Sequence, residues 1–437
     1  MQNYFFKLAL HSLTRNPGLT ALMFAAVAIG VAGSMSTYTI YYAMSGDPIP
    51  WKSSRLFIPQ IDSWGPQARD KYGEPSDQLT YPDALALMRA RAAPRQAAMY
   101  RTSLTFVPDS PDQVPFLVHA RATYRDFFTM FDVPFRAGAS WSESDENARA
   151  NVVVLGARLA GKLLLNQNAV GRTVTLDGRS YRVVGVLDSW NPAPRFYEIG
   201  GNALADSEDV YLPFPTAVDR HMASGGHTSC RVEPEPGSGW DGLLASDCTW
   251  LQFWVELPTS TDVQRYRLFL NDYASQQRTV GRFNWPPLTR LRDVRQWLAY
   301  KRVVSDELSA TTLLGFGFLA VCLVNAVGLM LAKFASKDAE LAVRRALGAS
   351  RTHIFVQCLF ETAAVGAVGG LFGLLLTLLC VAAERAILPE QLAKVAHVDL
   401  YLALLTLVLA TVAAVGAGLY PAWRVSRLLP ARLLKAQ

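Results

Sequence analysis

The stretch from Lys333 to Arg351 reads Lys-Phe-Ala-Ser-Lys-Asp-Ala-Glu-Leu-Ala-Val-Arg-Arg-Ala-Leu-Gly-Ala-Ser-Arg, a short charged segment held between two long apolar runs, residues 308–332 and 354–383. Each run is long enough for a helix to cross a hydrocarbon core, which takes about 20 apolar residues. Ala339, Ala342 and Ala346 favour helix, and Glu340 and Arg344 stand at the supportive i,i+4 spacing. Gly348 occupies the usual left-handed C-cap position, and Ser350 suits an N-cap for the next helix. Val343 and Leu347 form a small apolar stripe, and Arg344 and Arg345 can anchor to acidic groups or lipid phosphates. A polar helix tied at both ends to membrane spans cannot move without moving them. Physics alone leaves two readings open: an entry point for force from a cytosolic partner, or a loop whose positive charge holds topology.

The run Glu340-Leu341-Ala342-Val343-Arg344-Arg345-Ala346-Leu347-Gly348-Ala349-Ser350-Arg351, followed by Ile354, Gln357, Glu361, Gly369, Gly370 and Gly373, resembles the signature of FtsX-type permease domains. These are the membrane subunits of the ABC-transporter class typified by MacB. Tyr420-Pro421-Ala422-Trp423-Arg424-Val425-Ser426-Arg427-Leu428-Leu429-Pro430-Ala431 resembles the motif that closes such domains. The resemblance extends from about residue 308 to the C-terminus. It implies that the charged segment is a coupling helix, with Glu340, Leu341, Val343, Arg344, Arg345, Leu347 and Gly348 meeting a cytosolic ABC ATPase. ATP and magnesium would then sit on that partner, with no cofactor on this chain.

Composition fits a divided chain. Hydrophobic residues make up 51% and charged residues 18%, too apolar for an ordinary aqueous protein and too charged for one wholly within a membrane. Residues 1–17 read as a cytoplasmic amphipathic helix, with Tyr4, Phe5, Leu8 and Leu13 set against Lys7, His11 and Arg15, ended by Asn16-Pro17. Residues 18–44 form a first span, too long an apolar run for a signal-peptide core. Tyr38, Tyr41 and Tyr42 mark its far interface, and Gly30 offers a close-packing position between Ala26 and Ser34. Residues 45–307 carry no span, are near neutral in charge, and read as an aqueous domain, with two lobes expected. The remaining order is a second span (308–332), the coupling helix (333–352), a third span (353–383), a short loop (384–399), a fourth span (400–421) and a tail (422–437).

The fold class expected is therefore a membrane protein of four transmembrane α-helices, with a large α+β periplasmic domain inserted between helices 1 and 2. Basic residues favour the cytosolic side. They concentrate in the leading helix, the 333–352 segment and the tail, whereas the 384–399 loop holds Arg385 and Lys394 against Glu384, Glu390 and Asp399. Both termini are expected inside, in a bacterial inner membrane. Trp297, Tyr300, Tyr401 and Trp423 are read as interface aromatics.

In the aqueous domain, residues 151–155 and 180–187 read as strands, 156–165 as helix, and Leu176-Asp177-Gly178-Arg179 as a hairpin turn. Val152 to Leu155, Ala160 to Leu163, Gly171 to Val174 and Tyr181 to Val186 resemble the periplasmic core of MacB-type permeases. Gly156 and Gly161-Lys162 have phosphate-loop spacing, but Leu163 stands where Ser or Thr must reach magnesium. Those glycines are assigned to strand–helix packing.

Glu361, one or two turns into the third span, requires a partner, and Arg344, Arg345 or His353 can supply it. Two interleaved Gly-xxx-Gly pairs, Gly366 with Gly370 and Gly369 with Gly373, allow helix packing within the subunit or at a dimer seam. Cys230 and Cys248 are a disulfide candidate in an oxidising compartment, whereas Cys322, Cys358 and Cys380 lie in spans. His221 and His227 match no strong zinc pattern, and no metal site is assigned. Asp206, Glu208 and Asp209 read as a solvated loop. No catalytic constellation or nucleic-acid stripe is present in the sequence.

The resemblance implies a permease subunit, not an enzyme itself, coupling ATP hydrolysis by a separate ATPase to its periplasmic domain. Such mechanotransmission would export peptides, antibiotics or lipid-linked cargo. The partners implied are a second permease chain, identical or paralogous, membrane lipid, and a periplasmic adaptor with an outer-membrane channel. An FtsX-like scaffold controlling cell-wall hydrolases, or a Lol-like lipoprotein-release permease, would share these mechanics.

Overall fold

The computed structural model describes residues 17–109, 112–163, 169–200, 203–337, 343–345, 347–387 and 398–427. Residues 1–16 of the expected amphipathic helix 1–17, and Glu340 and Leu341, lie outside them. The chain divides into two compact units, Gly46–Val303 and the remainder.

Among the described residues, four helices are long and apolar enough to cross a membrane: Pro17–Ser45, Asp306–Ala335, Arg351–Ile387 and Leu400–Ser426. Each outruns the apolar stretch that predicts it, because backbone hydrogen bonding continues into polar residues at its ends. The third, for example, runs into residues assigned to the following loop. Side chains cap the starts: Ser305 Oγ accepts from Leu308 N and Asp399 Oδ1 from Leu402 N.

The glycines decide how these helices approach. A Cβ at Gly366 would sit 2.7 Å from Ala414 Cβ, and one at Gly370 2.7 Å from Ala410 Cβ, so this pair faces the fourth helix. A Cβ at Gly369 would lie 3.0 Å from Val27 and one at Gly373 3.1 Å from Val31, so the interleaved pair faces the first helix. At Gly30 a Cβ would meet Cys322 at 2.8 Å, on the second helix. The third helix thus uses its two glycine stripes on two different neighbours within one subunit. Replacing Gly366 by valine is expected to cost about 1–3 kcal/mol, read as a lower unfolding temperature in detergent. An unchanged temperature would remove the packing role. Tyr42 stacks on Tyr401 at 5.6 Å, which sets the end of the first helix level with the start of the fourth.

The aqueous unit is built on an eleven-stranded sheet. Its strands are β1 (Leu56–Ile61), β2 (Leu79–Thr80), β3 (Arg95–Val107), β4 (Phe116–Thr123), β5 (Phe135–Gly138), β6 (Val152–Leu155), β7 (Thr173–Leu176), β8 (Arg179–Leu187), β9 (Val210–Pro213), β10 (Thr249–Glu256) and β11 (Thr289–Asp293). The order is β11-β1-β10-β3-β4-β9-β6-β8-β5, with β2 on β10 and β7 against β3 and β8. Among the described residues, the β4–β9 and β6–β8 pairings are parallel and the others antiparallel. Period-two alternation feeds two cores. Ala98 and Tyr100 of β3, with Val153 and Leu155 of β6, enter one; Ala97 and Met99, with Val152 and Val154, enter the other. The expected hairpin turn sits between β7 and β8, where Asp177 and Gly178 both take positive φ, 47° and 71°. The expected helix after β6 is Ala157–Leu163.

Two expectations fail in this unit. Trp297 is not an interface aromatic: it is buried in the second core, on the short helix Val294–Tyr300, and its Nε1 donates to Phe196 O at 3.0 Å. Tyr300 lies under the Arg292 guanidinium at 4.2 Å. Nor are Asp206, Glu208 and Asp209 a solvated run, since Glu208 and Asp209 are buried. Their partners are strands and loops distant in sequence.

Candidate coupling site

Lys333 falls in the last turn of the Asp306–Ala335 helix, and Lys337 stands in the turn beyond it. Glu361 lies within Arg351–Ile387 and is 4% exposed; Lys333 is 0% exposed. Lys333 Nζ is 2.6 Å from Glu361 Oε1. The contact is a buried ion pair. Lys337 Nζ donates to both carboxylate oxygens, at 3.2 and 3.4 Å. Met23, Met330, Phe334, Ile354, Cys358 and Val365 build the apolar surround. Taking one of these charges away would leave the others without compensation in a low-dielectric site.

The expected partners of Glu361 were Arg344, Arg345 or His353. The contacts described for Glu361 include two lysines, Lys333 and Lys337, counted in the sequence only as topology charges. The signal available was their i,i+4 spacing at the end of an apolar run, which puts both on one helical face.

Arg344 reaches the same helix one turn earlier, its Nη1 donating to Gln357 Oε1 at 3.3 Å. Gln357 and Glu361 are four apart and share a face. Two successive turns of the third helix are therefore gripped by residues of the charged segment and its approach. Residues 343–345 are helical. Gly348 closes them with φ 101°, and Ala349 N donates to Arg344 O at 3.1 Å. His353 N donates to Ser350 Oγ at 3.2 Å, starting the next helix. Val343 and Leu347, 54% and 82% exposed, present the apolar stripe outward.

The aqueous unit holds a second charged group that sequence reading missed. Arg121 of β4 is fully buried and pairs with both Glu198 and Glu208. Arg195 Nη1 donates to Glu208 Oε1 at 3.2 Å, and both guanidinium groups lie over the Tyr197 ring. Burial pushes the Glu208 carboxyl up, but the charges of Arg121 and Arg195 outweigh it and hold it at about 2. Next to it, Arg158 Nε and Nη2 grip Asp209 at 2.9 and 3.0 Å. Cys230 and Cys248 are disulfide-bonded. His221 stacks on Trp240 and His227 contacts Ser229. Among the described residues no His, Cys, Asp and Glu group is arranged to hold a metal.

Four apolar helices, a charged segment gripping the third, and a large α+β domain after the first define a four-span membrane protein with an aqueous domain. The sequence matches the MacB-like periplasmic core domain over residues 20–266 and the FtsX-like permease C-terminal domain over residues 312–430. The chain belongs to the MacB- and FtsX-like permeases of ABC transporters.

Its relatives include the macrolide export ATP-binding/permease protein MacB of Chlorobium luteolum, 25% identical over 297 residues, 68% of this chain and 39% of that protein. MacB of Escherichia coli K12 is 23% identical over 437 residues, 97% of this chain and 59% of that protein. The chain thus spans between 39% and 59% of the length of these relatives. Among solved structures it is similar to the periplasmic region of MacB from Actinobacillus actinomycetemcomitans, with 14% identity, a TM-score of 0.36, and 59% of this chain and 96% of that one covered. The extracellular domain of the transporter YknZ from Gram-positive bacteria gives 13% identity and a TM-score of 0.31, covering 51% of this chain and 94% of that one.

Proposed function

We propose that this chain is a permease subunit that carries work from a separate cytosolic ATPase to its aqueous domain. The observation that supports this most is the double grip on the third helix: Lys333 and Lys337 on Glu361, and Arg344 on Gln357. A push on the exposed stripe of Val343 and Leu347 is then passed to a span instead of being absorbed by a loose loop. The concentration of basic residues in the leading segment, the 333–352 segment and the tail supports a topology with both termini and the charged segment in the cytosol and the aqueous domain in the periplasm. Two permease chains, identical or paralogous, would work as a pair. The cargo would be a peptide, antibiotic or lipid-linked molecule, handed to a periplasmic adaptor and outer-membrane channel.

Reversing both charges, Arg344→Glu with Arg345→Glu, is expected to lower stimulation of the cognate ATPase by tenfold or more, about 1.4 kcal/mol. Both side chains are half-buried and Arg344 holds Gln357, so the unfolding temperature in detergent is read alongside and should stay near the parent's. Co-purification and stimulation at the parent level would refute the coupling assignment.

A further inference from the structure

A cleft of about 480 Å³ opens in the aqueous unit between the end of the Tyr81–Ala90 helix, the start of β3 and the short helices Asp126–Met130 and Glu143–Asn147. That volume lies within the range of small-molecule sites. Its chemistry is divided between floor and rim.

The floor is rich in acceptors. Glu146 is 8% exposed. Its Oε2 accepts from Trp141 Nε1 at 2.9 Å and Arg125 N at 2.8 Å, whereas its Oε1 accepts from no group among the described residues. Gln96 is 4% exposed. Its Nε2 is committed to Leu87 O and Met88 O, and its Oε1 has no partner. The Tyr124 hydroxyl makes no hydrogen bond among the described residues, and its ring forms part of the wall. Burial pushes the Glu146 carboxyl up, with the bonds from Trp141 and Arg125 acting against it. Gln96 Oε1 is a buried oxygen without a donor, and Glu146 and Tyr124 line the same cleft, so the floor suits a ligand that brings N–H groups.

The rim carries Arg89, Arg91 and Arg125 beside Glu143 and Asp126. Arg89 is exposed and makes no ion pair among the described residues. Arg91, 79% exposed at its side chain, reaches Glu143 only at 3.6 Å, while Arg125 holds the same carboxylate at 2.7 Å. Arg89 and Arg91 therefore remain open to an incoming anion. Two-point recognition of this kind selects one charge below and the opposite charge above.

We propose that this cleft binds a small zwitterion, its primary ammonium on Glu146 and Tyr124 and its carboxylate or phosphate on Arg89 and Arg91. A free peptide end and an ethanolamine phosphate headgroup share that chemistry. The inference stands independently of the coupling role, since it needs neither ATPase nor transport.

Calorimetry on the full chain in detergent tests it, with triglycine and phosphoethanolamine as probes. At least one is expected to bind in the millimolar range or tighter. N-acetylation and C-terminal amidation of triglycine are each expected to weaken it about tenfold, and N-acetylation should do the same to phosphoethanolamine. The exposed pair Arg89→Ala with Arg91→Ala should weaken triglycine about tenfold while leaving triglycinamide unchanged. Glu146→Gln should reduce both. Stronger binding of phosphoethanolamine would identify a lipid headgroup as the source, and stronger binding of triglycine a peptide end. No binding of either zwitterion, or a loss on capping one end only, would overturn the proposal.

Discussion

Replacing Arg121 by methionine is expected to destabilise the aqueous domain by about 3–5 kcal/mol, measured by urea unfolding of the full chain through tryptophan fluorescence. Arg121 is fully buried and is the direct partner of both Glu198 and Glu208. Once it is gone, Arg195 holds Glu208 at 3.2 Å but stands 4.0 Å from Glu198. Methionine fills most of the volume, so the loss is electrostatic and not a cavity effect. Replacing Glu198, Glu208 and the equally buried Arg195 by apolar residues as well should return much of the stability, because the desolvation of the whole group is then avoided.

The same residue sets an acid response. Glu208 sits at about 2 against an ordinary 4.5. A carboxyl lowered on folding contributes stability that is complete above the unfolded value and is lost as pH falls through the folded one. In the parent, this contribution is expected to fade between about pH 4.5 and 2. In Arg121→Met the Glu208 carboxyl rises, so acid unfolding begins at higher pH. A variant that unfolds in urea and acid like the parent would show the cluster to be energetically idle.

What was legible in the sequence was local. The apolar runs declare four spans because length and hydropathy are properties of a contiguous stretch. Gly348 and Ser350 announce the break between the charged segment and the third helix, since left-handed backbone and N-capping each depend on a single residue. Asp177-Gly178 announces its hairpin for the same reason.

What was not legible depends on pairing across the chain. Glu208 beside Asp206 and Asp209 looks like an exposed acidic run until β9 is set beside β4, which brings Arg121 into contact across a long sequence separation. Trp297 looked like an interface residue because a span follows soon after it. The short helix that carries it instead points it at Phe196. The sheet order interleaves early and late strands, with β10 between β1 and β3, and no local pattern encodes that. At the charged turn after the second helix the charges were visible but their partners were not, because that turn returns Lys337 to Glu361.

Substitution Glu361→Leu is expected to cost about 3–5 kcal/mol, because it strands a fully buried Lys333 beside Lys337. The loss should appear as a lower unfolding temperature in detergent together with loss of ATPase stimulation. These readouts separate in the double variant Lys333→Met with Glu361→Leu. Two apolar side chains fit among Met330, Phe334, Ile354 and Cys358, so most of the stability should return. Lys337 is at the edge, 12% exposed at its side chain, and can turn toward water. The charged link between the second helix, its following turn and the third helix is nevertheless gone. Stimulation is therefore expected to stay low while the unfolding temperature recovers. If both recover together, the ion pair is only a packing element, and transmission to the third helix runs through other contacts, such as that of Arg344 with Gln357.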